Sequence, residues 1–192
     1  MTADACAYHK EEFINIIKQN QRLMDILDEV SALNLPNWYL AAGGIFQNVW
    51  NAQDGKPAGY GLHDIDLVFF DAEHVDQKFD ETLEKKLSAK FQLEFDVHNE
   101  AGMHLKNGRS HPYESSEDAI ANWIATAHCV GITGTSSAIK VYAPYGLADI
   151  FSKTVRPTYS PEISRQKYEE KAAKWQARFD GLTIIPFQSA AE

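Results

Sequence analysis

The chain has only two cysteines, Cys6 and Cys129, and no C-x-x-C spacing. Thiolate zinc sites and disulfide scaffolds both need paired cysteines, so neither is expected, and both residues read as reduced packing side chains. Long apolar runs are also missing. No stretch of the sequence approaches the roughly 18 uninterrupted apolar residues of a membrane span, and Met1 to Lys10 lacks the basic-then-apolar order of a secretory signal. A cytoplasmic protein with no membrane partner is the expectation. Basic charge is scarce as well: 18 Lys+Arg stand against 27 Asp+Glu, for a net charge of −9. The average field repels a polyanion, so extended DNA binding is not expected.

What is present is enough for a buried core. With 192 residues and 44% hydrophobic content, the chain is expected to form a single domain over 1–192, with a catalytic core at about 36–145 and a C-terminal helical segment at about 146–192. Charge is unevenly spread. Residues 1–100 carry 8 basic and 18 acidic side chains, a net of −10, whereas residues 101–192 carry 10 and 9, a net of +1. Lys153, Arg156, Arg165, Lys167, Lys171, Lys174 and Arg178 concentrate near the end. Such a region supplies countercharge to an anion, and a solvated helix face accounts for it equally well.

Apolar residues from Lys10 to about Leu33 recur near helical spacing, predicting one long helix or two short ones that stop before Pro36. Trp38 to Ala42 reads as a buried strand, followed by Gly43-Gly44 and a helix over Ile45 to Asn51. Leu62 to Phe70 and Leu93 to Val97 read as strands, and between them Phe79, Leu83, Leu87 and Phe91 mark one stripe of a helix over Val75 to Phe91. Ser115 and Asp118 resemble a capping box ahead of Ile120, Trp123 and Ile124. A hairpin is expected from Cys129–Ile132 and Ile139–Tyr142 around Gly134 to Ser137, then a short segment over Leu147 to Ser152. A last helix over about Glu162 to Phe179 carries Tyr168, Ala172, Trp175 and Phe179 on one stripe. Strands interleaved with helices give an α+β class: a mixed sheet flanked by helices.

The sharpest local signal is His63-Asp64-Ile65-Asp66-Leu67-Val68-Phe69-Phe70. Side chains alternate along a strand, so Asp64 and Asp66 project from the same face of an apolar segment. Two carboxylates so placed pay for desolvation unless cations, donors or water meet them. Hard oxygen donors suit magnesium or manganese better than zinc. Gly43-Gly44, between strand and helix, exposes backbone N–H groups that hold phosphate oxygens, although a tight turn explains the pair as well. Asp96, on a second strand, completes a three-carboxylate cluster if the two strands adjoin. Asn99 and His104 lie just past it, and Arg156 and Lys171 lie in the basic region; these four are candidate nucleotide contacts. Trp50, Trp123 and Trp175 read as core, and His63, His74, His111 and His128 show no ligand spacing.

In order, Gly43-Gly44, Asp64-Ile65-Asp66 and Asp96 resemble the pattern of the DNA polymerase beta-like nucleotidyltransferase superfamily. Within it, Trp38 to Gly44, Asp96 to His104 and Tyr142 to Asp149 are similar to blocks of a bacterial nucleotidyltransferase-like group of about this length, and the likeness spans roughly Trp38 to Trp175. Two departures stand out: Glu100 and Gly102 occupy places where the group usually carries basic or amide residues, and Ile45 stands where a serine often follows the second glycine. The resemblance implies a nucleoside triphosphate as donor and a hydroxyl acceptor on a small molecule, a protein or an RNA end. It also implies Mg2+ or Mn2+ on Asp64, Asp66 and Asp96, and a phosphate cradle at Gly43 and Gly44. Glu94 shares the strand face of Asp96 and competes for the third position. A binding module of the same fold, holding nucleotide or metal without turnover, is the alternative.

Overall fold

A computed structural model describes residues 3–106, 108–161 and 163–188, with the side chains of 3–8 and of 105 excepted. In chain order the elements are α1 (Ala3–Ile17), α2 (Gln21–Ala32), β1 (Tyr39–Ala41), α3 (Gly43–Gln53), β2 (Asp64–Phe69), α4 (Gln77–Phe91), β3 (Glu94–Asn99), α5 (Met103–Lys106) and α6 (Ser116–Ala121). They continue with β4 (Gly131–Thr135), β5 (Ala138–Tyr142), α7 (Ala148–Phe151), β6 (Thr154–Val155), α8 (Arg165–Gln176) and β7 (Thr183–Ile184).

Five strands form one mixed sheet in the order β3-β2-β1-β4-β5. β2 and β3 run parallel, and β1 pairs antiparallel with both β2 and β4. The parallel pair needs a crossover, and α4 supplies it. Ile65, Leu67, Phe95 and Val97 face the buried side, where Leu83 and Leu87 of α4 meet them in the main core. Alternation then sends Asp64, Asp66, Asp96 and His98 to the opposite face. The helices form where capping and apolar spacing agree. Asn20 caps α2 through the amide of Leu23, Asp76 caps α4, Ser115 caps α6 through the amide of Asp118, and Ser164 caps α8.

The expected first helical stretch is two helices, broken where Asn20 turns its side chain back onto α2 and donates to Asn48. The expected stripe on α4 is only half buried: Leu83 and Leu87 are in the core, while Phe79 is exposed. Gly134 is not in the hairpin turn but inside β4 at φ +98, where an added Cβ would lie 2.3 Å from the Ala138 carbonyl oxygen. The turn is made by Ser136 and Ser137, and Asp28 fastens it by accepting from the Ser136 amide and hydroxyl. The helix after Ser115 ends at Ala121, leaving Trp123 and Ile124 beyond it. The last helix begins at Arg165; its expected start, Glu162, lies outside the described residues, as does the side chain of Cys6. Cys129 is a buried free thiol.

The C-terminal segment packs onto the same hydrophobic cluster as the sheet. Trp50 of α3 lies 6.3 Å from Trp175 and 5.1 Å from Phe179 between ring centroids, and its indole N–H donates to the carbonyl of Ile150. The Tyr168 hydroxyl reaches the carbonyls of Val155 and Ile185. These anchors fix α8 by its buried face, so Lys167 and Lys171, one helical turn apart, project from its exposed side.

Candidate active site

The register of the parallel pair sets the carboxylates. Asp66 stands opposite Asp96, and Asp64 stands opposite Glu94. Asp66 and Asp96 line a pocket of about 320 Å3 together with His98, Glu100, Trp123, His128, Lys167 and Lys171. The pocket therefore has an acidic wall from the sheet, a basic wall from α8 and an aromatic wall from the segment after α6. Its volume lies within the range of small-molecule sites.

Each carboxylate feels a different environment. Burial, then the charges of Asp64 and Asp96, push the Asp66 carboxyl up to about 7, against the pull of Lys171 and His98. The ring of His98 sits 2.8 Å from the Asp96 carboxylate, and this hydrogen bond, opposed by burial, holds Asp96 below the usual carboxylate range. Burial pulls His98 down, but the hydrogen bond and charge of Asp96, with the charge of Glu100, raise it overall. Asp64 is exposed at the start of β2. Of the two candidates for the third carboxylate, Asp96 lines the pocket with Asp66, and Glu94 faces Asp64 at the exposed strand start.

The helix after β1 begins two residues earlier than expected, so that Gly43 and Gly44 are its first turn. Its N-cap, Ala42, has φ +55 and offers no side-chain hydrogen bond. Gly44 is needed for close approach: a Cβ there would meet Ile65 Cδ1 at 2.7 Å and the Asp64 carbonyl oxygen at 3.4 Å. That contact brings the positive end of α3 against the strand carrying the carboxylates.

The other expected contacts are placed differently. Lys171 lines the pocket. Asn99 is buried and commits its whole amide to the protein: it accepts from the amides of Asp71 and Ala101 and donates to the carbonyls of Asp71 and His74. It thus fixes the chain leaving β2 against the end of β3. His104 lies on α5 with a buried Nδ1 that has no hydrogen-bond partner among the described residues. Arg156 pairs with Asp149, Nε to Oδ2 at 3.0 Å, and Asp149 also accepts from the Thr126 hydroxyl. This gives Asp149 of the Tyr142 to Asp149 block a role in bracing the segment that leads to β4.

Several pocket residues had no assigned role in the sequence. His98 and Glu100 continue the period-two face of Glu94 and Asp96, and Lys167 stands four residues before Lys171; both signals were there to be read. For Trp123 and His128 there was none. Trp123, expected in the core, packs against the small cluster of Ala41, Val68, Ile120 and Cys129 and also lines the pocket beside His128, at 5.2 Å between rings. Burial, then the charge of Lys171, push His128 down to about 3, so the ring is neutral.

Oxygen donors are what this wall offers to a cation. No group of three His, Cys, Asp or Glu side chains among the described residues is spaced as a ready metal cage. Burial first, and then repulsion from Asp64 and Asp96, raises the Asp66 carboxyl, and a divalent cation would relieve the repulsion, so the oxygen donor set fits a hard ion such as magnesium.

Comparison with known proteins bears on the fold and the family. A search among curated proteins finds no match. A solution structure reported to reveal a CCA-adding enzyme head domain superposes with a TM-score of 0.79 at 29% identity, covering 92% of this chain and 96% of that one. A chain of a tRNA-processing enzyme complex aligns at a TM-score of 0.37 and 16% identity over 71% of this chain and 35% of that one. The sequence description of the nucleotidyltransferase family matches residues 28–184, and the chain belongs to that family.

Proposed function

We propose that this protein transfers a nucleoside monophosphate from a nucleoside triphosphate to a hydroxyl group, with Asp64, Asp66 and Asp96 holding divalent metal. The observation that carries the reading is the direct pairing of Asp66 with Asp96 across β2 and β3, facing Lys171 over one pocket. A magnesium or manganese ion, when bound, supplies positive charge at the attacking and leaving oxygens of the displacement. In the reaction the acceptor oxygen bonds to the α-phosphorus, the bond to the bridging oxygen breaks, and pyrophosphate leaves with the electron pair. Asp96, kept ionised by the hydrogen bond from His98, accepts the hydroxyl proton. Lys171, with Lys167 one turn before it, neutralises the triphosphate, and the N-terminal amides of Gly43 and Gly44 bind its outer oxygens. Asn99 acts from behind the acidic wall by holding the chain after β3, and Arg156 acts through its pair with Asp149.

The test incubates the protein with magnesium or manganese, each α-labelled triphosphate and a cell extract. Label on an extract component, absent with the Asp64→Ala, Asp66→Ala double variant, is the expected result. Tight nucleotide binding without label movement points to a binding module, and release of inorganic phosphate in place of pyrophosphate points to hydrolysis.

A further inference from the structure

Glu100 is the group in the pocket that the reaction above leaves unused. It follows β3 on the face of Asp96 and His98, lines the pocket, and is only 4% exposed. Among the described residues no hydrogen bond or ion pair meets its carboxylate; burial first, then the charges of Asp66, Asp96 and Asp80, push the carboxyl up to about 7 against the pull of His98. His98 is spent on Asp96, and Asp80 accepts from the Asn99 amide. The lysines of the pocket stand on the opposite wall, on α8. A carboxylate this buried costs free energy unless a donor or a positive charge meets it. The pocket is open beside it, so the missing partner enters from solvent.

We infer that Glu100 binds a positively charged amino group of the acceptor, so that the substrate class is a hydroxyl compound carrying an ammonium group. The inference rests on the proposed transfer reaction. The two ends of the pocket divide the charges: α8 meets the anionic donor, and the end of β3, with Asp96 and Glu100, meets the acceptor. An acceptor phosphate placed at Glu100 would set like charges side by side. An ammonium group there gains the charge-assisted hydrogen bond that Glu100 lacks. Trp123, on the adjoining wall, offers a π face to the same cation.

Two measurements test this, one of them independent of turnover. Equilibrium binding of D-glucosamine and D-glucose to the full chain compares two probes that differ in one ammonium group. Glucosamine is expected to bind at least about tenfold more tightly, and Glu100→Gln to bring the two within about twofold. Equal binding of the probes by the natural protein overturns the inference, as does a preference that survives Glu100→Gln. So does a Glu100→Gln variant that loses magnesium binding, because Glu100 is then a metal ligand. Label transfer is compared in parallel among glucosamine, glucose, glucose 6-phosphate and the 3′ end of an RNA oligonucleotide. The amino sugar is expected to lead; leadership by the phosphate or the RNA end overturns the inference. Absence of transfer to all four speaks against the transfer reaction, and the binding comparison still decides the role of Glu100.

Discussion

At the scale of single residues, two titrating groups make opposite demands on pH. His128 is held at about 3 in the folded chain, against about 6.5 unfolded, by burial and then by Lys171. Between those values the unfolded chain binds a proton that the folded chain does not, so stability falls as pH drops from 6.5 toward 3. By pH 5 the expected loss is about 2 kcal/mol. Urea titrations at pH 7 and pH 5 check it: His128→Gln should lose markedly less stability than the natural chain, and equal losses would contradict the assignment. Asp66 works the other way. Its folded carboxyl lies near 7, above its unfolded value, so its contribution is present at low pH and is lost as pH rises to 7. Without metal, Asp66→Asn should therefore melt higher than the natural chain at pH 8. Added magnesium should raise the melting temperature of the natural chain and leave the variant unmoved. Asp64 and Asp66 were legible in the sequence because alternation alone puts both on one face. The inequality between them was not, since it depends on β3 lying beside β2 and on Lys171 arriving from about a hundred residues away.

At the scale of elements, the approach of α3 to β2 matters most. Gly44 packs where a methyl group would meet Ile65, itself fully buried, and the Asp64 backbone. Gly44→Ala should cost about 1–3 kcal/mol in chemical denaturation by overpacking, and should lower nucleotide affinity by shifting the helix N-terminus. A variant as stable as the natural chain with unchanged nucleotide affinity would remove the helix from the site. Asn99 ties two loops with one amide. Asn99→Ala should lower stability by about 1–3 kcal/mol through unpaired buried backbone groups, with protease sensitivity rising between Asp71 and His74. Unchanged stability and digestion would show that the amide is dispensable there. The strand, glycine pair and helix were readable from local pattern. The helix start was displaced by two residues because Ala42 adopts positive φ and lets the glycines enter the first turn. The two-residue strands β6 and β7 carried no readable pattern; they exist because the chain on either side of α8 is pinned by Tyr168.

At the scale of the molecule, the acidic half of the chain builds the carboxylate wall and the later, more basic half returns through α8 to close the pocket. The charge asymmetry of the sequence thus has a spatial counterpart, with Lys167 and Lys171 facing Asp66 and Asp96 across one cavity. Composition alone pointed to a basic C-terminal helix without saying which side chains turn inward. That choice is made by the buried stripe of Tyr168, Ala172 and Trp175, which Lys167 and Lys171 border; the Lys171 ammonium lies 5.7 Å from the centre of the Trp175 ring. No helix among the described residues is long and apolar enough to cross a membrane. The central claim is that Asp66 and Asp96, paired across the parallel strands, form the catalytic centre. The most direct measurement is magnesium-dependent pyrophosphate release with triphosphate and acceptor present, compared among the natural chain, Asp66→Asn, Asp96→Asn and Glu94→Gln. Loss of about a thousandfold or more in the two Asp variants, with Glu94→Gln within about twofold of the natural rate, is the predicted result. Release that is unaffected by Asp66→Asn, or that depends on Glu94 in place of Asp96, would contradict it.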